Sequence, residues 1–230
     1  MRFSLVIPCF NEEQNLPRLI DSCLALIESS DCEIIIVDNG STDNSAKILP
    51  SLIKSNSKLR AIYVEKNIGY GHGILSGLKE AKGEILGWTH ADLQTDPLDC
   101  IQAFAHFDGN NNLFVKGKRR GRSFFDNFFT ICMAIFESLL LKKILWDING
   151  QPTLFRKEFF ASWENPPEDF SLDLYSYYMA KLQNLKIKRI SVYFGKRFSG
   201  VSSWNTGLHS RAKFIKRTIT YSFKVKKGIS

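Results

Sequence analysis

A histidine, two carboxylates and an amide lie close together in the stretch EILGWTHADLQTDP, Glu84 to Pro97. His90, Asp92, Gln94 and Asp96 follow an apolar run that has the composition of a buried strand, and a helix is predicted directly after them. The end of a buried strand is a common place for a metal ion or a phosphate to bind. The other polar loops of the chain must decide which of the two this stretch serves.

Five polar loops follow predicted strands: PCFNEE, VDNGSTD, EKNIGYGHG, THADLQTD and KGKRRGR. Because the carboxyl ends of parallel strands meet at one edge of a sheet, we expect these loops to surround a ligand. Asp38 ends the second strand, where its carboxylate either accepts from ribose or base donors or caps the next helix. Asn39, Gly40, Ser41 and Asp43 favour turn and N-cap chemistry.

Three glycines follow the third predicted strand, at positions 69, 71 and 73. They lack the GxGxxG spacing of a dinucleotide fingerprint, and the first strand-helix turn has no glycine. The pattern therefore disfavours a Rossmann redox enzyme. Gly69 and Gly71 instead predict a turn that allows the backbone to approach a nucleotide closely.

The predicted elements define an α/β fold with a mostly parallel sheet covered by helices on both faces. In the first half, the strands FSLVIP, EIIIVD, LRAIYVE and EILGWTH alternate with helices at about 15–29, 44–54 and 97–107. The second half adds a strand at LFVKGKRRGR, running into a basic loop, and a long apolar helix at SFFDNFFTICMAIFESLLLKKILW. It continues with a helix near 172–185, the strand IKRISVYF and a basic helix from about 209.

Composition and charge narrow the class of protein. A chain of 230 residues with 44% hydrophobic content can bury one core, and five scattered cysteines predict neither disulfides nor a zinc knuckle but a reducing cytosol. The net charge of +8 is uneven: Asp173 is the last acidic residue, and thirteen Lys or Arg follow it. This basic end predicts a polyanionic partner, namely nucleic acid, anionic lipid or a phosphorylated substrate.

Taken in order, several motifs resemble those of family 2 glycosyltransferases with the GT-A fold, and in particular the polyprenyl (dolichyl) phosphate sugar synthases. They are VIPCFNEEQNLPRLI, IIIVDNGSTDNS, NIGYGHGILSGLKEAKGE, ADLQTDP, GKR, DINGQPTLFRKE and FGKRFSGVSSW. The resemblance covers roughly residues 3–205. It implies a GT-A domain over residues 1–208, with a basic C-terminal helix over 209–230.

The resemblance also implies an activity, the inverting transfer of a sugar from a UDP- or GDP-sugar, assisted by Mg²⁺ or Mn²⁺. The residues that match family positions are Pro8, Phe10, Glu12 and Asp38 for the nucleoside, Asp92 and Gln94 for the metal, and Arg119 and Arg197 for phosphates. A departing nucleoside diphosphate gains negative charge, which a divalent cation and arginines stabilise. The residue types therefore suit the implied reaction.

His90 departs from the family pattern, because the usual DAD is HAD here; VDNGS likewise replaces VDDGS. The imidazole is either a nitrogen ligand of the metal, a partner that orients a ligand, or an ordinary polar side chain. The sequence leaves these three roles open.

The acceptor side is less defined. An alcohol acceptor needs a general base, whereas a lipid phosphate is already an anion and needs only cations to position it. Asp173, at the start of a helix, is either that base or a charge favoured by the helix dipole. Four cationic side chains, Arg122, Arg156, Lys157 and Arg197, are candidates for the acceptor phosphate, and the first three equally suit a solvated surface.

The apolar helix predicts a membrane surface as a partner. Asp126, Asn127, Glu137, Lys142 and Lys143 interrupt the run, so we expect it to lie in the headgroup region rather than to cross the bilayer. The basic C-terminal helix, including Lys224, Lys226 and Lys227, would add attraction to anionic lipid. The alternative is a helix buried as core or in a dimer.

The sequence thus favours transfer to a polyprenyl phosphate by a protein peripheral to the cytosolic face of a membrane. A soluble or growing glycan is the alternative acceptor. A non-catalytic nucleotide-sugar or nucleic-acid binder is the alternative from another class, because KFIKRTITYSFKVKK interleaves aromatic and basic residues. We expect no nucleic acid, since no recognition module surrounds this segment.

Overall fold

A computed structural model describes residues 2–53, 56–195, 197 and 208–228. The strands are β1 (Phe3–Cys9), β2 (Cys32–Asp38), β3 (Leu59–Tyr63), β4 (Ile85–Trp88), β5 (Leu113–Arg120), β6 (Thr153–Arg156) and β7 (Lys186–Tyr193). The helices are α1 (Leu16–Ser29), α2 (Ser45–Ile53), α3 (Tyr70–Glu80), α4 (Asp99–Ala105), α5 (Phe124–Leu141), α6 (Lys157–Ala161), α7 (Leu172–Leu182) and α8 (Leu208–Gly228). The predicted α/β fold is confirmed.

The seven strands form one sheet in the order β3-β2-β1-β4-β6-β5-β7. All neighbouring pairs are parallel except those of β6, which runs antiparallel to both β4 and β5. The chain reverses its direction of winding between β1 and β4, and ligands of open α/β sheets bind at such a switch point. The carboxyl ends of β1, β2, β4 and β5 therefore meet at one edge, and β6 begins there.

Alternation along the strands builds a core on each face of the sheet. In β1, Leu5 and Ile7 pack into the layer that includes α1, whereas Val6 packs against α3 on the other face. In β2, Ile34 packs into the layer of α1 and Ile35 into the layer of α3. Because successive side chains of a strand point to opposite faces, continuous apolar runs fill both layers. This buried frame fixes the positions of the loops at the carboxyl edge.

The glycine segment differs in part from its prediction. Gly69 precedes α3, but Gly71 lies inside this helix rather than in a turn. A Cβ on Gly69 would lie 2.4 Å from the Glu168 carbonyl oxygen, and one on Gly71 would lie 2.6 Å from that of Pro167. The predicted close approach is real, but the backbone that comes near belongs to the segment before α7. The glycines therefore let α3 pack tightly beside that segment.

Helix α5 lies outside the sheet layers, and α8 packs against it. The buried residues of α5 are Ala134, Glu137 and Leu141. The Ser222 hydroxyl of α8 donates to Glu137 Oε1 over 2.8 Å. The opposite face is open: Phe124 is 78% exposed and Phe125 is 81% exposed. The alternative that this helix is core of the folded chain is thus wrong. Its length and composition alone would allow it to cross a membrane.

Candidate active site

The first two loops of the carboxyl edge are tied together by side-chain hydrogen bonds. The Asn11 backbone N–H donates to Ser41 Oγ over 3.0 Å, and the Thr42 N–H donates to Asn11 Oδ1 over 2.8 Å. The Glu12 N–H donates to Ser45 Oγ over 3.0 Å, which holds the start of α2 beside the same loop. Residues of the motifs PCFNEE and VDNGSTD therefore form one rigid wall.

Asp92 and Gln94 lie at the end of β4 and face Arg197. The Asp92 carboxylate accepts the Gln94 backbone N–H at Oδ1 over 3.1 Å and pairs at Oδ2 with Arg197 Nη2 over 2.7 Å. The Gln94 amide nitrogen donates to the Gly195 carbonyl over 3.1 Å, which brings the chain after β7 to this loop. Arg197 also lies 3.9 Å from Glu12. Two predicted oxygen ligands and a predicted phosphate-binding arginine thus meet.

His90 borders the same cavity, with its ring centroid 5.8 Å from that of Tyr70. Burial is the main cause that lowers the pKa of the imidazole, and the nearby Asp92 opposes this shift. A neutral imidazole carries the lone pair that a metal ligand requires. The position of His90 is therefore compatible with ligation.

Arg119 is held by a buried carboxylate that the sequence prediction did not include. Asp147 accepts the Arg119 backbone N–H at Oδ2 over 2.9 Å and the Arg119 Nε–H at Oδ1 over 2.8 Å. Arg119 and Arg122 both flank the ring of Phe194, at 5.4 and 5.6 Å from its centroid. Asp147 is buried and also pairs with Arg189, so it is a fixed anchor for Arg119. Arg119 and Arg122 both border the cavity.

The nucleoside positions lie along the wall made by the first loops. Pro8, Phe10, Glu12 and Gly69 border the cavity, as does Asn39, whereas Asp38 is not among its lining residues. Asp38 is 4% exposed, and its Oδ1 has no hydrogen-bond partner among the described residues. An unpaired buried acceptor is costly, and a donor from a ligand that reached it would remove that cost. The pKa of Glu12 is raised, and burial of its carboxyl group is the main cause.

Arg156 and Lys157 do not reach this cavity. β6 runs antiparallel to β4, so Arg156 pairs in register with Ile85 at the amino end of that strand. The Arg156 guanidinium lies 3.8 Å from Glu84, and Lys157 donates to the Ala81 carbonyl over 3.2 Å. The sequence could not show this, because it does not reveal the direction of β6. Neither residue therefore contacts a phosphate bound in this cavity.

The cavity has a volume of about 900 Å³ and passes from the sheet edge to helix α5. Phe129, Thr130, Met133, Ala134 and Glu137 line it, with the i, i+3, i+4, i+7 spacing of one helix face. Asp173 borders it from α7, and α8 contributes Arg217 and Thr218. The carboxyl edge of the sheet thus makes one part of the cavity polar and charged, and α5 adds three apolar side chains, Phe129, Met133 and Ala134, beside the polar Thr130 and Glu137.

A divalent cation suits the donor set at the polar end. The candidates are one carboxylate, Asp92, one amide oxygen, Gln94, and the imidazole of His90. Within the described residues, no three His, Cys, Asp or Glu side chains form a metal-binding group. Magnesium sites of enzymes commonly use only one or two carboxylates and complete their coordination with substrate phosphates and water. The residues therefore fit a cation that binds together with a diphosphate.

The role of His90 can be tested by metal preference. If imidazole is a ligand, the wild type should prefer Mn²⁺ to Mg²⁺, because Mg²⁺ strongly favours oxygen. We expect His90→Asp to shift the ratio of Mn²⁺- to Mg²⁺-supported transfer toward Mg²⁺, by about tenfold. His106→Asp, an exchange far from the cavity, is the matched control. An unchanged ratio in His90→Asp would assign His90 to an ordinary polar role.

The architecture is that of GT-A glycosyltransferases. Glucosyl-3-phosphoglycerate synthase from Mycobacterium tuberculosis superposes with a TM-score of 0.75 at 18% identity, over 99% of this chain and 78% of that one. A second structure of that enzyme gives a TM-score of 0.74 at 17% identity, over 98% and 79%. At such identity the likeness establishes the fold alone.

The family model for glycosyl transferase family 2 matches residues 4–166, and the chain belongs to this family. The undecaprenyl-phosphate 4-deoxy-4-formamido-L-arabinose transferase of Proteus mirabilis is 38% identical over 126 residues, which are 53% of this chain and 38% of that protein. Its counterpart in Yersinia pestis is 37% identical over 101 residues, or 42% and 30%. The chain thus matches less than half the length of these relatives.

Proposed function

We propose that this chain is an inverting glycosyltransferase that moves a sugar from a UDP- or GDP-sugar to a polyprenyl phosphate at the cytosolic face of a membrane. The observation that carries the proposal is one cavity that reaches from the polar carboxyl edge of the sheet, suited to a nucleotide diphosphate and a cation, to a helix whose outer face is apolar. Membership of family 2 and the names of the relatives support it.

The donor would occupy the polar end. Phe10 borders this end and would contact the nucleoside, and Asp38 Oδ1, which has no partner among the described residues, would accept from ribose or base donors. Asp92 and Gln94 would hold a Mg²⁺ or Mn²⁺ ion, which when bound neutralises charge that develops on the leaving diphosphate. Arg197 lies within 2.7 Å of Asp92 and would exchange this ion pair for a phosphate contact.

The acceptor would approach from the side of α5. Arg119 and Arg122 border the cavity, and Arg122 Nη1 donates to Thr130 Oγ1 of α5 over 2.6 Å, so the two arginines would position a phosphate monoester that enters beside that helix. The acceptor oxygen is already anionic and needs no proton removed before it attacks the anomeric carbon. The cations thus supply orientation and charge stabilisation, which are the main requirements of this transfer.

The outer surface of α5 and α8 suits an anionic bilayer. The exposed apolar side chains of and just after α5 are Phe124, Phe125, Phe128, Ile131, Ile135, Leu139, Ile144 and Trp146. The exposed basic side chains of α8 include Lys216, Lys224 and Lys226, whereas the side chain of Lys227 lies outside the described residues. Apolar burial and attraction to anionic headgroups act together in interfacial helices. A lipid acceptor would then enter the cavity from the bilayer.

Thermal unfolding with Mn²⁺ tests the donor site. UDP and GDP, each with and without a sugar, should be compared with CDP and dTDP sugars. A nucleotide present at one hundred times its Kd should raise Tm by about 5–10 °C, because it binds only the native state. Asp38→Ala should remove most of the shift, and Asp31→Ala is the matched control. No shift with any nucleotide would refute the proposed donor site.

Membrane docking can be measured by flotation with anionic vesicles. We expect the wild type to float at low salt and to lose binding as salt rises, since part of the attraction is electrostatic. Phe124→Ser combined with Phe125→Ser and Phe128→Ser should reduce the bound fraction about tenfold or more, as should Lys224→Glu with Lys226→Glu.

Tyr63→Ser is the control for docking, because Tyr63 is an aromatic residue 50% exposed at the far edge of the sheet. This variant should float like the wild type. A wild-type protein that stays in solution beside the vesicles would contradict docking, and a soluble or growing glycan would become the better acceptor.

A further inference from the structure

Four buried side chains near the cavity form a closed ring of hydrogen bonds. Lys116 Nζ donates to Asp173 Oδ1 over 3.2 Å and to Thr153 Oγ1 over 2.9 Å. The Thr153 hydroxyl donates to Gln151 Oε1 over 2.9 Å, and Gln151 Nε2 donates to Asp173 Oδ1 over 2.6 Å. Lys116, Gln151 and Thr153 are fully buried, and Asp173 is 2% exposed. The ring joins β5, the start of β6 and α7.

A buried ion pair of this kind is weak evidence for stability. The free energy needed to remove two charges from water often exceeds the free energy gained from their attraction. Proteins in which apolar residues of similar volume replace the pair are frequently as stable. Burial lowers the pKa of Lys116 to about 8, which records that cost, although the amine stays mostly protonated at neutral pH. An apolar residue would also suit a strand position between Val115 and Gly117. Stability alone therefore does not explain the ion pair, which points to a functional role for Asp173.

Asp173 is the member of the ring that borders the cavity. Asp173 accepts two hydrogen bonds of the ring, from Lys116 and Gln151, and both go to its Oδ1. Its Oδ2 therefore lies outside the ring. The arrangement fixes a carboxylate at the cavity wall, where its position does not depend on solvent. A group that accepts hydrogen bonds and cannot rotate is suited to hold a ligand that donates them.

The charge of Asp173 decides which part of a ligand it can meet. The donor diphosphate and the acceptor phosphate are anions, which a carboxylate repels, and the arginines that border the same cavity suit them. The hydroxyl groups of a sugar are neutral donors, and a carboxylate is a strong acceptor for them. Tyr70, whose hydroxyl lies 3.5 Å from Gln151 Nε2, adds an aromatic wall beside the same place.

We propose that Asp173 binds hydroxyl groups of the transferred sugar and that Lys116 is the positioning residue that keeps its carboxylate fixed for this purpose. The inference rests on the proposed function, because it assumes a nucleotide sugar in the cavity. It assigns Asp173 to recognition of the sugar and not to removal of a proton from the acceptor. Lys116, Gln151 and Thr153 act through Asp173 and do not touch the substrate.

The test compares Kd for a nucleoside diphosphate with Kd for its sugar, both with Mn²⁺, by calorimetry. The sugar nucleotide is whichever of UDP-glucose, UDP-galactose and GDP-mannose binds the wild type most tightly. In Asp173→Asn and in Lys116→Met, Kd for the nucleotide sugar should rise about tenfold, while Kd for UDP or GDP stays unchanged. Lys118→Met, on the same strand and exposed, should behave like the wild type.

A second variant separates recognition from folding. Lys116→Met combined with Asp173→Asn removes both buried charges, and the Asn amide oxygen can still accept from Gln151 Nε2, so Tm should recover relative to Lys116→Met alone, yet the variant should still lack the selective affinity for the sugar. The inference is overturned if both Kd values rise in proportion, or if this double variant binds the nucleotide sugar as the wild type does. Failure of the wild type to bind UDP or GDP would instead refute the proposed function, and the inference with it.

Discussion

Asp92→Ala should abolish sugar transfer while leaving the fold intact. Asp92 is the one carboxylate among the three candidate metal ligands, and a leaving diphosphate without its cation loses several kcal/mol of stabilisation. A loss of that size corresponds to about 10³-fold in kcat/KM. Asp92→Asn keeps the shape of the side chain but not its charge, so it should lose nearly as much. Transfer is measured with Mn²⁺ and Mg²⁺, and Tm reports folding.

Asp96 provides the matched control for Asp92. It lies in the same loop, is exposed, and accepts the Leu98 backbone N–H over 3.0 Å without bordering the cavity. Asp96→Asn should therefore keep transfer within about twofold of the wild type, as surface changes usually do. Full activity in Asp92→Ala would remove Asp92 from the metal site, and an equal loss in Asp96→Asn would indicate a fault in the loop as a whole.

Arg119→Ala should lower kcat/KM by about 10²-fold, because a fixed, charge-assisted contact to the acceptor phosphate is worth about 2–3 kcal/mol. Arg119→Lys keeps the charge but loses the planar, two-pronged geometry with which Asp147 holds the guanidinium, so its loss should be intermediate. The rates should be measured against both donor and acceptor concentration. The dependence of the rate on acceptor concentration should change more than its dependence on donor concentration, because Arg119 would contact the acceptor phosphate.

Arg120→Ala is the control for Arg119. Arg120 is the next residue of β5, points to the opposite face and is exposed. Its removal changes the net charge equally and should leave kcat/KM nearly unchanged. If Arg120→Ala fell as far as Arg119→Ala, general electrostatic attraction rather than a specific phosphate contact would explain the loss.

The sheet was predictable because its signals are local. Runs such as EIIIVD and FSLVIP are nearly continuous in apolar residues, so they indicated strands buried on both faces. The first predicted helices begin and end within one or two residues of their observed bounds. The position of β6 between β4 and β5 was not predictable, since strand order depends on contacts far apart in sequence. For that reason Arg156 was expected near the cavity although it lies at the opposite edge.

The carboxyl-edge residues were also predictable, because every parallel strand delivers its following loop to the same place. The supporting residues were not. Lys116 appeared to begin a basic loop, yet β5 continues to Arg120 and turns this side chain into the interior. Its spacing from Phe114, on the same face of the strand, was the available signal. Asp147 and Gln151 lie within the noted motif DINGQP, but their partners come from β5 and α7.

The most direct measurement is the formation of a glycosylated lipid. Purified protein, Mn²⁺ and radiolabelled UDP- or GDP-sugars would be incubated with undecaprenyl phosphate in anionic vesicles, with undecaprenol as the control acceptor that lacks the phosphate. We expect label in the organic extract with undecaprenyl phosphate, none with undecaprenol, and none with Asp92→Ala. Label transferred only to a water-soluble glycan, or equally well to undecaprenol, would contradict the proposed function.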